Sequence, residues 1–149
     1  MGGRSLQHAP GSIAGKAYSV ILVDTSVWIE VFRARRSIDL EAILDFDDVA
    51  TCLPIIQEVL QGFRDEQAYR AAREAMFSLP IVESPVGAHV YSEAVDLYRN
   101  ARRSGRTIRS SVDCLIAACA IRSDLELLHR DRDYAALAEI SSLRQYTPA

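Results

Sequence analysis

The chain has 149 residues, of which 49% are hydrophobic and 25% are charged, a balance typical of a soluble globular domain with its own core. The net charge of −3 disfavours non-specific nucleic-acid binding through bulk charge, although it leaves room for a local basic patch. No apolar run approaches the roughly 18 residues that a membrane-spanning helix needs, and the apolar stretch at 20–23 is too short for a secretory signal.

Residues 1–18 are rich in glycine, serine and alanine, which predicts a flexible leader or tag ahead of a single domain over residues 19–149. Cys52, Cys114 and Cys119 lie inside apolar patterns and lack zinc-ligand spacing. An odd number of such cysteines indicates buried thiols in a reducing cytoplasm.

The first part of the domain alternates between strand and helix patterns. In chain order, the predicted elements are strand 20–23, helix 26–35, helix 40–46, strand 49–53 and helix 55–63. Thr25 or Ser26 is predicted to cap the first helix, and Pro54 stands where a first helical turn accepts proline.

The alternation continues to the C-terminus. The predicted elements are helix 66–77, strand 79–84, helix 88–103, loop 104–110, helix 111–121, strand 125–129, helix 134–140 and a possible last strand at 143–146. Pro80 favours an edge strand, and the helix at 111–121 is apolar nearly all round, so we expect it to be buried. The pattern predicts an α/β fold with a central parallel sheet of four to five strands, covered by helices on both faces.

Four acidic residues fall where the strands of such a sheet end. Asp24 follows the first strand, Glu58 lies one turn into the helix after the second, and Asp131 lies just past the fourth. Asp113 is in the first turn of the buried helix, where the helix dipole favours an anion. Ligands of parallel sheets collect at the carboxyl ends of the strands, so we expect these side chains to meet there.

Each acid also has an ordinary interpretation. Asp24 could be only a helix cap, Glu58 only part of a solvated helix face, and one of Asp131 and Asp133 is expected to cap the helix near residue 134. Asp113 is different, because its neighbours are apolar and a buried carboxylate needs a partner. Four converging carboxylates would repel one another strongly, and Mg²⁺ or Mn²⁺, which prefer oxygen ligands, would neutralise them.

Four segments together resemble the successive motifs of PIN-domain ribonucleases, most closely the VapC toxins of bacterial toxin–antitoxin pairs. They are "ILVDTSVWIE", "PIIQEVLQG", "IRSSVDCLIAACAI" and "LLHRDRDYAAL". The resemblance runs from about residue 20 to the C-terminus and implies a PIN-like three-layer α/β/α fold.

The same resemblance implies catalytic and metal-binding roles for four acids. These are Asp24, Glu58, Asp113 and Asp131, with Asp133 as the alternative fourth acid. It also implies that the hydroxyls of Thr25 and Ser26 support the first acid. The implied activity is Mg²⁺- or Mn²⁺-dependent hydrolysis of RNA that leaves a 5′-phosphate and a 3′-hydroxyl, with one ion or two.

Because this protein is acidic overall, it needs local positive charge to bind RNA, and arginines precede the buried helix. Arg106 and Arg109 lie in the loop leading to Asp113, where forked contacts to phosphate are possible, although a solvated surface is the alternative. His129 is interpreted as a strand-end residue, since the mechanism needs no histidine. Trp28 is interpreted as part of the core.

The family resemblance further implies a homodimer and a VapB-type antitoxin partner, whose C-terminal helix could dock in a groove formed by part of the first helix and the next helix. Three other functions are less consistent with the sequence. A phosphotransfer receiver domain would need a lysine after its last strand, and the only lysine is Lys16. A flap-type DNA nuclease would need an insertion to thread the strand, which this sequence lacks, and a catalytically silent binding protein is disfavoured because all four acids are intact.

Overall fold

Short, mostly aliphatic segments form one sheet, as suits the buried centre of an α/β protein. The computed structural model describes residues 20–33 and 39–148, and the strand pairs within these ranges are all parallel. The strands are β1 (Ile21–Val23), β2 (Val49–Cys52), β3 (Ile81–Val82), β4 (Glu126–Leu128) and β5 (Gln145–Tyr146). Their order is β3-β2-β1-β4-β5, so β1 is central.

Helices cover the sheet on both faces, which confirms the predicted three-layer α/β/α architecture with five strands. In the described ranges, the helices are α1 (Thr25–Phe32), α2 (Leu40–Ile43), α3 (Leu53–Gln61), α4 (Glu66–Ser78), α5 (Ala88–Arg103), α6 (Ser111–Arg122) and α7 (Arg132–Glu139). None of these helices is long and apolar enough to cross a membrane.

The most deeply buried helix is α6, which packs against α3, α5 and α7. Its apolar residues are buried on nearly every side, as the sequence predicted. Because most of the helix is enclosed, Asp113 in its first turn is carried inside with it and is only 7% exposed.

The sheet register determines where the candidate site lies. Val23 of β1 pairs with Leu128 of β4, and the backbone amide of Asp24 donates to the Leu128 carbonyl at 2.9 Å. The residues that follow these two central strands, Asp24 and His129, therefore share one edge of the sheet.

Several further predictions are confirmed. Helix α5 has the predicted bounds, β5 is the suggested last strand, and β3 lies at an edge of the sheet next to Pro80. The three cysteines are buried free thiols. Trp28 is 3% exposed and stacks on Phe32 with ring centroids 5.8 Å apart, as expected of a core residue.

Some predicted bounds are wrong. Helix α1 ends at Phe32 because Arg33 is extended, and Leu53 opens α3 instead of closing β2. The predicted helix at 40–46 divides into α2 and a short 3₁₀ helix, Phe46–Asp48, which the Asp45 side chain caps through the Asp47 amide at 3.0 Å. The leader at 1–18 lies outside the described residues and stays a prediction, as does the domain boundary at residue 19.

Candidate metal centre

Asp24 is fixed at the point where β1 passes into α1. It is the cap of α1, so the predicted cap at Thr25 or Ser26 is wrong. Asp24 Oδ2 accepts from the Ser26 amide at 3.0 Å and from the Ser26 hydroxyl at 2.6 Å. The residue before the first helical turn is the one whose side chain reaches the free amides of that turn. Ser26 thus supports Asp24 as expected, and its hydroxyl also accepts from the Arg130 amide at 2.9 Å.

Asp24 and Asp113 lie close enough to share one hydrogen-bonding partner. The phenol oxygen of Tyr134, on α7, lies 2.7 Å from Asp24 Oδ1 and 3.2 Å from Asp113 Oδ1. Both carboxylates are buried, and the Tyr134 side chain is fully enclosed. The other oxygen, Asp113 Oδ2, is buried and has no hydrogen-bond partner among the described residues.

The electrostatics of this pair follow from burial and from like charge. The pKa of Asp113 is raised to about 7, first by burial and then by the nearby charges of Asp24 and Asp131. The hydrogen bond from Tyr134 opposes this shift only in part. The pKa of Tyr134 is raised well above its ordinary value for the same reasons, burial first. The site therefore holds more negative charge than the surrounding residues balance.

Glu58 borders the same pair from α3 and is partly buried. Its Oε1 accepts from the Thr25 hydroxyl at 2.9 Å, so Thr25 supports Glu58 where the resemblance implied support for Asp24. Burial raises the pKa of Glu58, and the charges of Asp24 and Asp131 raise it further. The charge of Asp24 thus acts on both Glu58 and Asp113.

Asp131 and Asp133 are arranged differently from each other. Asp131 caps α7 by accepting from the Asp133 amide at 3.0 Å, whereas Asp133 is only 5% exposed. One carboxylate oxygen from each of them and one from Asp113 lie within 4.8 Å of one another. The sequence left open which of the two is the fourth acid, and both lie beside Asp113.

Arg109 is held by these two acids. Its guanidinium donates to Asp131 Oδ1 at 3.0 Å and to Asp133 Oδ2 at 3.2 Å, and its backbone amide donates to Asp133 Oδ2 at 3.1 Å. The pKa of Arg109 is raised, chiefly by Asp133. Arg106 pairs with Glu139 of α7. Both arginines considered for RNA binding therefore have partners within the chain.

His129 is a structural residue at the end of β4. The ring is buried, with Nε2 2.6 Å from Gln145 Oε1, and Nδ1 accepts from the Asp131 amide at 3.1 Å. Since Nδ1 accepts, the proton belongs on Nε2. This agrees with the interpretation of His129 as a strand-end residue.

The sequence analysis missed Tyr134. The available signal was its place in "DRDY", three residues after Asp131 on a helix that starts at the edge of the sheet. A buried tyrosine needs a partner for its hydroxyl, and acids were the nearest candidates.

The chain is similar to known proteins over most of its length. A family model described as "PIN domain" matches residues 21–140. VapC ribonuclease Mb1587 of Mycobacterium bovis and ribonuclease VapC11 of Mycobacterium tuberculosis are each 38% identical over 130 residues, covering 84% of this chain and 96% of the relative.

Solved structures show the same fold. VapBC-5 from Mycobacterium tuberculosis, a member of the VapBC family of toxin–antitoxin systems, matches with a TM-score of 0.64 at 25% identity, covering 86% of this chain and 98% of that one. VapBC2 from Rickettsia felis, bound to a DNA fragment from its promoter, matches with a TM-score of 0.68 at 16% identity, covering 87% and 98%.

Proposed function

The chain belongs to the PIN-domain family, and from that premise we propose that it is the endoribonuclease toxin of a toxin–antitoxin pair. In this proposal it hydrolyses RNA phosphodiester bonds with a divalent cation. The observation that carries it is the buried, unpartnered Asp113 Oδ2 within a group of coupled carboxylates. The sequence relatives named as ribonucleases support the choice of substrate.

The residues at this site fit a hard divalent cation. The candidate ligands are all carboxylate oxygens, which suit Mg²⁺ or Mn²⁺, and the orphan oxygen of Asp113 lacks the partner that a buried charge needs. We assign Asp24 and Asp113 to the principal ion, with Glu58 and Asp131 completing the shell or holding a second ion. Asp133 is the alternative to Asp131.

When bound, the cation supplies positive charge at the reacting phosphate and activates water as the nucleophile. The chain's own groups supply orientation: Ser26 holds the Asp24 carboxylate and Thr25 holds that of Glu58. Attack at phosphorus with departure of the 3′ oxygen leaves a 5′-phosphate and a 3′-hydroxyl.

Arg106 and Arg109 remain the proposed RNA contacts. The Arg109 side chain is 55% exposed although it is ion-paired, and a guanidinium has five N–H donors. Arg109 can therefore keep its contacts with Asp131 and Asp133 and still present N–H groups to a phosphate. Arg106 is 36% exposed beside Glu139 and can act in the same way.

The proposed partner is a VapB-type antitoxin, since the similar VapBC-5 is described as part of a toxin–antitoxin system. An apolar groove between α1 and α3 is lined by Ile29, Phe32 and Phe63, and Ile29 is 45% exposed. This groove suits the apolar face of one antitoxin helix. From family membership we also propose that the protein is a homodimer, which analytical ultracentrifugation would test. We propose a cytoplasmic location on the same basis.

One assay tests the activity. Purified protein, free of antitoxin, is incubated with total RNA or with DNA, in Mg²⁺, in Mn²⁺ or in chelator, beside Asp24→Asn and Asp113→Asn. We expect RNA to be cut only with a cation and only by the unsubstituted protein. End-labelling then identifies the 5′-phosphate.

Cutting that persists in chelator would remove the metal-dependent mechanism. Cutting of DNA alone would favour the flap-type nuclease. Transfer of a phosphoryl group to Asp24 from added acetyl phosphate, with release of acetate and no cutting of either nucleic acid, would favour a receiver domain. An Asp96→Asn variant, altered on the exposed face of α5, controls for the loss of one negative charge and should cut RNA normally.

A further inference from the structure

Among the described residues, Tyr134 is the one neutral side chain whose hydrogen bonds connect two acids of the site. It comes from α7, whereas Asp24 follows β1 and Asp113 lies in α6. Its hydroxyl is therefore the point at which three separate segments of the chain meet. A tyrosine that only filled space would not need its oxygen at this position, 2.7 Å from one buried carboxylate and 3.2 Å from another.

The single hydroxyl proton limits what Tyr134 can do. The shorter distance makes Asp24 Oδ1 the main acceptor of that proton, and Asp113 Oδ1, at 3.2 Å, is its weaker acceptor. On Asp24, the other oxygen is already occupied by two donors from Ser26. On Asp113, the other oxygen is the orphan. Tyr134 thus contacts Oδ1 of each acid and leaves Asp113 Oδ2 as the carboxylate oxygen of this pair that has no partner among the described residues.

We propose that Tyr134 is a positioning residue for the divalent cation, whose hydroxyl fixes the separation and rotation of the Asp24 and Asp113 carboxylates. This inference rests on the proposed function, because it concerns the same site. In the absence of the hydroxyl, two like-charged carboxylates lose their common donor and turn away from each other. Groups that hydrogen-bond to metal ligands typically change metal affinity by about 10–100-fold when they are removed.

The chain offers a substitution that isolates the hydroxyl. Tyr134→Phe keeps the ring, which packs beside His129 with centroids 5.0 Å apart, and deletes only the oxygen. Tyr91→Phe is the matched control, because Tyr91 lies on α5 and is 54% exposed. Both variants lose the same atom, one beside the acids and one at the surface.

Titration calorimetry with Mn²⁺ provides a readout that does not depend on activity. We expect Tyr134→Phe to bind Mn²⁺ about 10–100-fold more weakly than the unsubstituted protein and Tyr91→Phe to bind it equally well. In RNA cleavage, the Mn²⁺ concentration for half-maximal rate should rise by the same factor while the KM for RNA stays unchanged. If Tyr134→Phe is too unstable for calorimetry, the increase in its melting temperature with Mn²⁺ concentration gives its affinity for Mn²⁺ instead.

The outcomes separate this inference from the proposed function. If Tyr134→Phe melts lower yet binds Mn²⁺ as tightly as the unsubstituted protein, or more tightly, the hydroxyl is only structural and the inference is overturned. If the unsubstituted protein binds Mn²⁺ and Tyr134→Phe binds it weakly, but neither cuts RNA, the positioning role stands and the proposed function fails. If the unsubstituted protein binds no Mn²⁺, both fail.

Discussion

The acids at the edge of the sheet divide into two pairs that are stabilised in opposite ways. The inner pair, Asp24 and Asp113, is bridged by the uncharged Tyr134. The outer pair, Asp131 and Asp133, is bridged by the Arg109 guanidinium. The pKa of Asp113 in the inner pair is raised to about 7, whereas the outer pair has a positive partner supplied by the chain itself.

This difference indicates what each pair is for. A buried carboxylate that the fold needs only for stability is normally given a cation or several donors, as Asp133 is by Arg109. Among the described residues, the Asp113 carboxylate has only the longer contact to Tyr134, and its other oxygen is without a partner. A divalent cation from solution is therefore expected to bind most strongly at the inner pair, and the outer pair adds negative charge close by.

The largest expected effect tests this division directly. Asp113→Asn should lower RNA cleavage and Mn²⁺ affinity by more than about 100-fold, because even partners of metal ligands account for 10–100-fold. Above pH 7, where the Asp113 carboxyl is charged, the same substitution should raise the melting temperature of the protein in chelator, since it removes a buried, uncompensated charge. Cleavage assays, calorimetry and thermal unfolding measure the three quantities.

Asp131→Asn is the matched change in the outer pair. It should lower the melting temperature, because it removes the negative charge that pairs with Arg109, while asparagine can still cap α7. Opposite signs for the two stability changes would support the division into pairs. A lower melting temperature for Asp113→Asn in chelator would contradict it.

The second prediction concerns stabilisation by the cation itself. Mn²⁺ at 100 times its dissociation constant should stabilise the unsubstituted protein by about 2.7 kcal/mol, provided that the unfolded chain does not bind it. Asp113→Asn should gain almost nothing, and Asp96→Asn should gain the full amount. Thermal unfolding at a series of Mn²⁺ concentrations measures this stabilisation. If Mn²⁺ stabilised Asp113→Asn as much as the unsubstituted protein, the ion would not bind at Asp113.

The third prediction is a pH dependence with a defined sign. The carboxyl of Asp113 has an ordinary pKa of 3.8, which the fold raises to about 7. Between these values the unfolded chain has released the proton that the folded protein keeps, so the free energy of unfolding falls as pH rises. Glu58, whose pKa is also raised, contributes in the same direction. Below pH 3.8 and above about pH 7, Asp113 adds no further slope.

Denaturant unfolding in chelator at a series of pH values from about 5 to about 8 measures this slope. Asp113→Asn should flatten it, and saturating Mg²⁺ should flatten it as well, since the bound cation favours the charged carboxylate. A slope unchanged by Asp113→Asn would mean that Asp113 is charged throughout this range.

The sequence predicted the fold and the inner acids from local features. Alternating strands and helices imply a parallel sheet, and an apolar helix that is buried all round must carry Asp113 inside with it. Asp24 follows from the end of β1. These inferences needed only periodicity and the geometry of strand ends.

The partners of the acids were not predictable in the same way, because they depend on how α7 and the loop before α6 dock. Nothing local to "DRDY" determines that the Tyr134 hydroxyl reaches Asp24. Which of Asp131 and Asp133 caps α7 also needed the structure, since either could cap a helix that begins nearby. Arg109 was assigned to RNA from its place in the loop, and only tertiary packing brings it to Asp133.

The smallest expected effect is that of Arg109 on RNA binding, where the outer pair meets the solvent. Because the side chain is 55% exposed, its ion pairs are screened by water and salt. Arg109→Ala nevertheless removes the cation from both Asp131 and the buried Asp133, so it should lower the melting temperature at least as much as Asp131→Asn does. If Arg109 also contacts a phosphate, the substitution should reduce the salt slope of RNA binding by about one.

RNA binding is best measured in the Asp113→Asn background, in which cutting is suppressed. Arg109→Lys keeps the positive charge but lacks the planar guanidinium that contacts two carboxylates at once. It should therefore restore the salt slope while making only part of the contacts with Asp131 and Asp133. Arg102→Ala, on the exposed face of α5, is the control for loss of a positive charge. If Arg109→Ala lowers the melting temperature but leaves the salt slope unchanged, Arg109 serves the outer pair alone and the RNA-binding role is wrong.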